Sequence, residues 1–388
     1  MNGVRGAPGI FRNLNDEKLS RRKAECFPSF FIQYIQNAGM REENAQKRGI
    51  NNTKQQKQKG AENMRYGHIP GIDHKVSRIL FGTAQPLFSE GGDASALLDA
   101  MTGLGINFLD TARVYGQSED TIGRWMRVRR NRHQVILLTK CSHPLPDGTR
   151  RVNPTEIRSD LETSLKKLRT DYVDVLVLHR DDPSVDVGEI VECCNALIHE
   201  GKIRAYGGSN WTHERIAAAN AYAASNGLQP LSVSSPNFSL ARQVVDPWGG
   251  DCVSISGKEG EEAQAWYREN QLPVISYSSL ARGFLSGRVH GDDETSGAKV
   301  LDSFAVRGFD WPENYERLRR CERLSQLRGV TVPQIALAWI FSQGINAFAV
   351  VGTSSTERMQ QNLVALDIML SQTELDELNL KTASPEER

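Results

Sequence analysis

Between residues 78 and 366, short apolar runs alternate with helix-patterned segments, strand then helix, eight times over. Strand one is read at Arg78–Gly82 and strand two at Asn107–Asp110. Strands three and four follow at Val135–Lys140 and Val173–His179, and strands five and six at Ile203–Ser209 and Leu231–Ser234. Strands seven and eight are read at Val274–Tyr277 and Phe348–Val351. Helix signals separate them. Asn153-Pro154 supplies a cap and first turn for a helix over Thr155–Leu168, and Gly201 and Gly227 close the next two. Ser118 is read as the N-cap of Glu119–Met126. Eight consecutive βα units without a strand-only block are the arithmetic of an α/β fold closed as a (β/α)8 barrel, the TIM-barrel architecture. An open doubly wound sheet would want Gly-x-Gly-x-x-Gly after its first strand, whereas the chain reads Gly82-Thr-Ala-Gln.

The chain of 388 residues is long for one barrel, and residues 1–65 differ from the rest. They are rich in Asn, Gln, Lys and Arg, and Asn51–Gly60 is nearly free of apolar residues. This reads as a disordered or loosely helical N-terminal extension, residues 1–65, ahead of a barrel at 66–388. An apolar cluster at Phe27–Ile35 gives the extension a possible docking surface for a protein partner. Its acids, Asp16, Glu17 and Glu25, argue against an organellar presequence. A formal net charge of zero gives no sign of a nucleic-acid partner, and no apolar run is long enough to span a bilayer. The six cysteines show no Cys-x-x-Cys spacing, which disfavours a metal site and fits reduced thiols in a cytoplasmic protein.

The strand ends carry the chemistry. Asp110, Lys140 and His179 each close an apolar run, and Tyr115 follows Asp110 by one short loop. Taken singly, each has a bland reading: a satisfied strand-end Asp, a half-buried Tyr, a solvated Lys, a core His. Together they place an ionisable quartet at the C-terminal mouth of the barrel, where such folds build their sites.

In these residues the sequence resembles the aldo-keto reductases. The resemblance rests on Leu-Asp-Thr-Ala-x-x-Tyr-Gly at 109–116, Lys140 after strand three, Leu-His-Arg at 178–180 and Gly-Gly-Ser-Asn at 207–210. It implies an oxidoreductase that reduces an aldehyde, ketone or sugar carbonyl to an alcohol, or runs the reverse, with hydride from NADPH, NADH being possible. By the same resemblance Asp110, Tyr115, Lys140 and His179 are the catalytic tetrad, with Tyr115 as general acid. It also implies cofactor contacts at Gly82, Thr83, Ser209, Asn210, Ser235, Tyr277, Ser278, Leu280, Arg282, Gly352, Ser354, Ser355, Arg358 and Asn362. Tyr277 would stack on the nicotinamide; Ser209 and Asn210 would hold its carboxamide; Ser354, Ser355 and Arg358 would meet a 2′-phosphate. Two positions depart from the family pattern: Ser235 stands where many members carry Gln, and Gly352 where some place a phosphate-binding Lys. Some members serve instead as cofactor-binding regulatory subunits, which is the alternative reading; another is epimerisation or elimination through transient oxidation. The loops Cys141–Val152, Phe238–Gly260 and Arg282–Asp310 would set substrate choice, with Trp248, Phe304, Phe309 and Trp311 as aromatic wall.

Overall fold

The structure is a computed structural model and describes residues 64–382. The expected disordered or loosely helical extension, including Phe27–Ile35, lies outside the described residues. The chain first forms a hairpin of β1 (Tyr66–Gly67) and β2 (Val76–Ser77), paired antiparallel. Eight parallel strands then close into a barrel: β3 (Ile79–Gly82), β4 (Phe108–Asp110), β5 (Ile136–Cys141), β6 (Val173–Leu178), β7 (Ile203–Ser209), β8 (Val233–Ser235), β9 (Val274–Ser276) and β10 (Ala347–Val351). β10 pairs with both β9 and β3, so no edge is left open. The (β/α)8 reading of the sequence therefore holds, with strand limits moved by one or two residues.

Side-chain alternation sorts each strand. Ile79, Phe81, Leu109, Leu137, Leu176 and Leu178 point outward into one buried cluster with the helices. Leu80, Phe108, Ile136, Leu138, Val175, Val177 and Ile275 point inward and fill the barrel. Ile69, Ile72 and Val76 from the hairpin join that inner cluster. Gly71 makes this possible: its φ is +86°, and a Cβ there would stand 2.7 Å from the Arg204 carbonyl oxygen. The plug leaves the opposite, C-terminal mouth free. Continuing the inward parity along each strand brings Gly82, Asp110, Lys140, His179, Ser209, Tyr277 and Gly352 to that mouth.

The helices pack outside with identifiable caps. Asn153 accepts from the Glu156 amide at the start of Pro154–Leu168, as its sequence predicts. Ser118 does not cap: Gln117 holds the N-cap position of Ser118–Arg129, and the Ser118 hydroxyl donates to Thr83 Oγ1 at 2.8 Å inside the fold. Residues 282–310, read from sequence only as a long loop, contain short helices at Ser296–Val300 and Ser303–Phe309. All five cysteines among the described residues are free thiols. No helix among the described residues is long and apolar enough to cross a membrane.

Candidate active site

The tetrad assembles from three strand ends. Asp110 is the last residue of β4, Lys140 lies on β5, and His179 follows β6 by one residue. Tyr115 comes from the loop between β4 and Ser118–Arg129. That loop is fixed at both ends: Tyr115 N donates to the Ala112 carbonyl, and Gln117 N to the Ser89 carbonyl. Gly116, at φ +59°, permits the approach, since a Cβ there would meet Ser89 O at 2.5 Å.

At the centre is the Lys140 ammonium. It forms a buried ion pair and hydrogen bond with Asp110 Oδ1, donates to the Thr111 carbonyl at 2.9 Å, and reaches the Tyr115 hydroxyl at 3.4 Å. Burial alone would depress its basicity, but Asp110 and the Tyr115 phenol more than offset that, and Lys140 sits above the ordinary lysine value. Burial pushes the Tyr115 phenol up, while Lys140 pulls it back. His179 is driven well below the usual imidazole range, by burial first and then by Lys140, Arg180 and His143. It is therefore neutral near pH 7. Its Nδ1 is buried without a partner among the described residues, whereas Nε2 is not among the buried unpartnered atoms.

A cavity of about 390 Å³ opens over these groups, lined by Asp110, Tyr115, Lys140 and His179 together with Gly82, Ser209, Asn210, Tyr277 and others. A second cavity of about 730 Å³ runs from it along the β9 and β10 ends to Ser354, Arg358 and Asn362, with Leu280 on its wall. Ser278, Arg282, Val350 and Gly352 line both, so the two are continuous. The second cavity is lined by Arg282, Arg288 and Arg358 and by no carboxylate. An elongated groove with cations at one end and an aromatic ring beside the Lys140–Tyr115 contact suits a dinucleotide: phosphates on the cations, the ring at the tetrad.

Not every expected residue reaches these cavities. Thr83, Ser235 and Ser355 line neither. The Thr83 hydroxyl donates to the Asp110 carbonyl at 2.8 Å, tying β3 to the residue that holds Lys140. Ser235 donates to the Ile275 carbonyl and accepts, through its own carbonyl, from the Ser209 hydroxyl. Ser355 caps the helix Thr356–Leu363 and bonds Glu357. Asn210 lines the first cavity, but its amide hydrogens are engaged by the His179 carbonyl at 3.2 Å and Ser209 Oγ at 3.1 Å. Its Oδ1 accepts from the Tyr277 hydroxyl at 2.8 Å, which sets the plane of that ring. Of the expected aromatic wall, Trp248 lines the first cavity and stacks on Phe304, with ring centroids 6.2 Å apart. Phe309 is core, and Trp311 is exposed at the N-cap position of the helix Pro312–Arg328, with no side-chain cap. The sequence reading missed Gln85, His143 and Arg180, all of which line the first cavity. Arg180 carried a signal, since it directly follows a strand-end His.

The model for the "Aldo/keto reductase family" matches residues 78–382. The chain belongs to the aldo/keto reductase family. Relatives include "Probable aldo-keto reductase 1" of Glycine max, 31% identical over 71% of this chain and 75% of that protein. Norsolorinic acid reductase B of Dothistroma septosporum is 26% identical over 74% of this chain and 71% of its own length. An aldo-keto reductase of Schizosaccharomyces pombe whose name carries NADP(+) is 27% identical over 73% of this chain and 80% of its own. Members of the family are oxidoreductases that act on small-molecule carbonyls with nicotinamide cofactors, so aldo/keto reductase chemistry is the chemistry this mouth has to explain.

Proposed function

We propose that this aldo/keto reductase is an NADPH-dependent carbonyl reductase with Tyr115 as its general acid. The observation that carries the proposal is the Lys140 ammonium held between the Asp110 carboxylate and the Tyr115 hydroxyl. When bound, the nicotinamide supplies the hydride. The chain supplies the rest. Tyr115 gives its hydroxyl proton to the carbonyl oxygen as negative charge develops there. A free phenol, with a pKa of about 10, holds that proton too tightly for efficient transfer near neutrality. Lys140 stabilises the phenolate left behind, Asp110 and the Thr111 carbonyl keep Lys140 in place, and neutral His179 donates from Nε2 to the same oxygen.

Tyr277 is the face for the nicotinamide, and its tether to Asn210 holds the ring in position before binding. Ser278, Leu280 and Arg282 lie where the pyrophosphate would pass, with Gly82 and Gly352 at the narrow joint. Ser354, Arg358 and Asn362 meet the adenosine end. Arg358 has no carboxylate partner among the described residues, where its guanidinium hydrogen-bonds only the Ser354 hydroxyl, at 3.3 Å. Glu357 is turned to Ser355, which favours a 2′-phosphate over the paired hydroxyls of NADH.

The test is NADPH consumption by the purified protein across a panel of aldehydes, ketones and sugars. Turnover with at least one class supports the reading. Tight NADPH binding with no turnover on any of them would favour the regulatory-subunit reading instead.

A further inference from the structure

Arg180 is a buried cation with no anion. It is 8% exposed and lines the tetrad cavity, and its guanidinium makes one hydrogen bond among the described residues, from Nη1 to the His179 carbonyl at 2.9 Å. No described Asp or Glu pairs with it. The adjacent Asp181 is taken by Arg215 at 3.2 Å, and Asp110 is taken by Lys140. The third cation on the lining, Arg282, has Asp302 at 2.8 Å. Formal charges on this wall therefore balance everywhere except at Arg180.

Its other neighbours do not supply the missing charge. Burial pushes the Cys252 thiol up to about 12 and the Tyr277 phenol well above its ordinary value, so both are neutral near pH 7. His143, whose ring stands 4.9 Å from that of His179, is lowered by burial and is neutral as well. A guanidinium does not deprotonate, and a buried one without a counterion is costly. Arg180 does not line the second cavity, where the phosphates of a dinucleotide have Arg282, Arg288 and Arg358. The unanswered charge thus belongs to the part of the mouth left for the substrate.

We propose that Arg180 binds a carboxylate carried by the substrate, so that the enzyme selects small aldehydes or ketones bearing an acid group. The proposal rests on the carbonyl-reductase reading. Arg180 and His179 are consecutive, so one compact molecule places its carbonyl oxygen at His179 and Tyr115 and its carboxylate on the guanidinium. The planar fork matches two carboxylate oxygens, and Nε and Nη2 have no other partner among the described residues.

The test compares 4-carboxybenzaldehyde with methyl 4-formylbenzoate, and succinic semialdehyde with its methyl ester, under NADPH. A charge-assisted pair predicts that the wild-type KM for each acid lies about tenfold or more below that of its ester. In Arg180→Met the acid's KM rises about tenfold more than the ester's, and Arg180→Lys, which keeps the charge, retains part of the preference. The acid–ester comparison in the wild type needs no variant to fold. Equal KM values for acid and ester in both pairs, or equal changes in the variant, overturn the proposal and leave the reductase standing. Reduction of neutral carbonyls but of neither acid overturns it too. Failure of every carbonyl tested contradicts the reductase reading itself, and this proposal falls with it.

Discussion

Lys140 Nζ stands 3.4 Å from the Tyr115 hydroxyl, across the gap between β5 and the loop that follows β4. The same ammonium is held by Asp110, and both charged groups are almost fully buried. The site is therefore one unit, in which the charge paired with Asp110 is also the charge beside the Tyr115 hydroxyl.

Breaking this pair has separable consequences. Asp110→Asn leaves a buried ammonium without its counterion and is expected to cost about 3–5 kcal/mol of stability, together with most of the turnover. The double variant Asp110→Asn with Lys140→Met removes both charges, so it should recover much of the stability and none of the activity. Chemical denaturation of the four proteins in the cycle checks this. Additive stability losses would show that the pair is not coupled.

His179 ties stability to pH. Its folded-state pKa lies well below the unfolded value near 6.5, because burial, Lys140, Arg180 and His143 all disfavour the imidazolium. Below pH 6.5 the unfolded chain gains a proton that the folded protein refuses, so stability falls as the pH drops. Between about pH 7.5 and pH 5.5 this one group should remove about 1 kcal/mol, which His179→Gln should restore. Equal acid sensitivity in the two proteins would contradict the neutral, buried imidazole.

Cofactor preference should depend on Arg358. NADPH is expected to bind about tenfold to a hundredfold more tightly than NADH, and Arg358→Ala should remove most of that difference. NADH affinity should change little. Fluorescence titration with both cofactors decides it, and an unchanged ratio in the variant would remove Arg358 from the 2′-phosphate.

The barrel is expected to fold without the residues before it, provided the cut respects Met64. That side chain is buried in the helix-facing core, and Arg65 pairs with Asp367 at 3.1 Å. A chain beginning at Met64 should be soluble and bind NADPH as the full chain does. One beginning at Tyr66 should be less stable, by about 1–3 kcal/mol for the lost Met64 packing. Loss of cofactor binding in the longer of the two would show that residues 1–63 support the groove.

The barrel was legible because its signal is periodic. Apolar runs of strand length recur between helical stretches, and Asp110, Lys140 and His179 each close one of them, which put all three at one mouth. Partnership was not legible. Asp181 is the nearest acid to Arg180 in the chain, yet it pairs with Arg215 across 34 positions. Thr83 and Ser235 look like ligand-facing hydroxyls at strand ends, but each is turned to the carbonyl of a neighbouring strand. The helices Ser296–Val300 and Ser303–Phe309 are too short to show a period.

The central claim is that the Tyr115 hydroxyl delivers the proton, and the direct measurement is single-turnover hydride transfer in Tyr115→Phe beside NADPH affinity. The fold loses only one oxygen atom in this variant, and the ring and Lys140 remain. The account predicts a rate about 10²- to 10⁴-fold below wild type with NADPH bound about as tightly as before. Hydride transfer at the wild-type rate in Tyr115→Phe would contradict it.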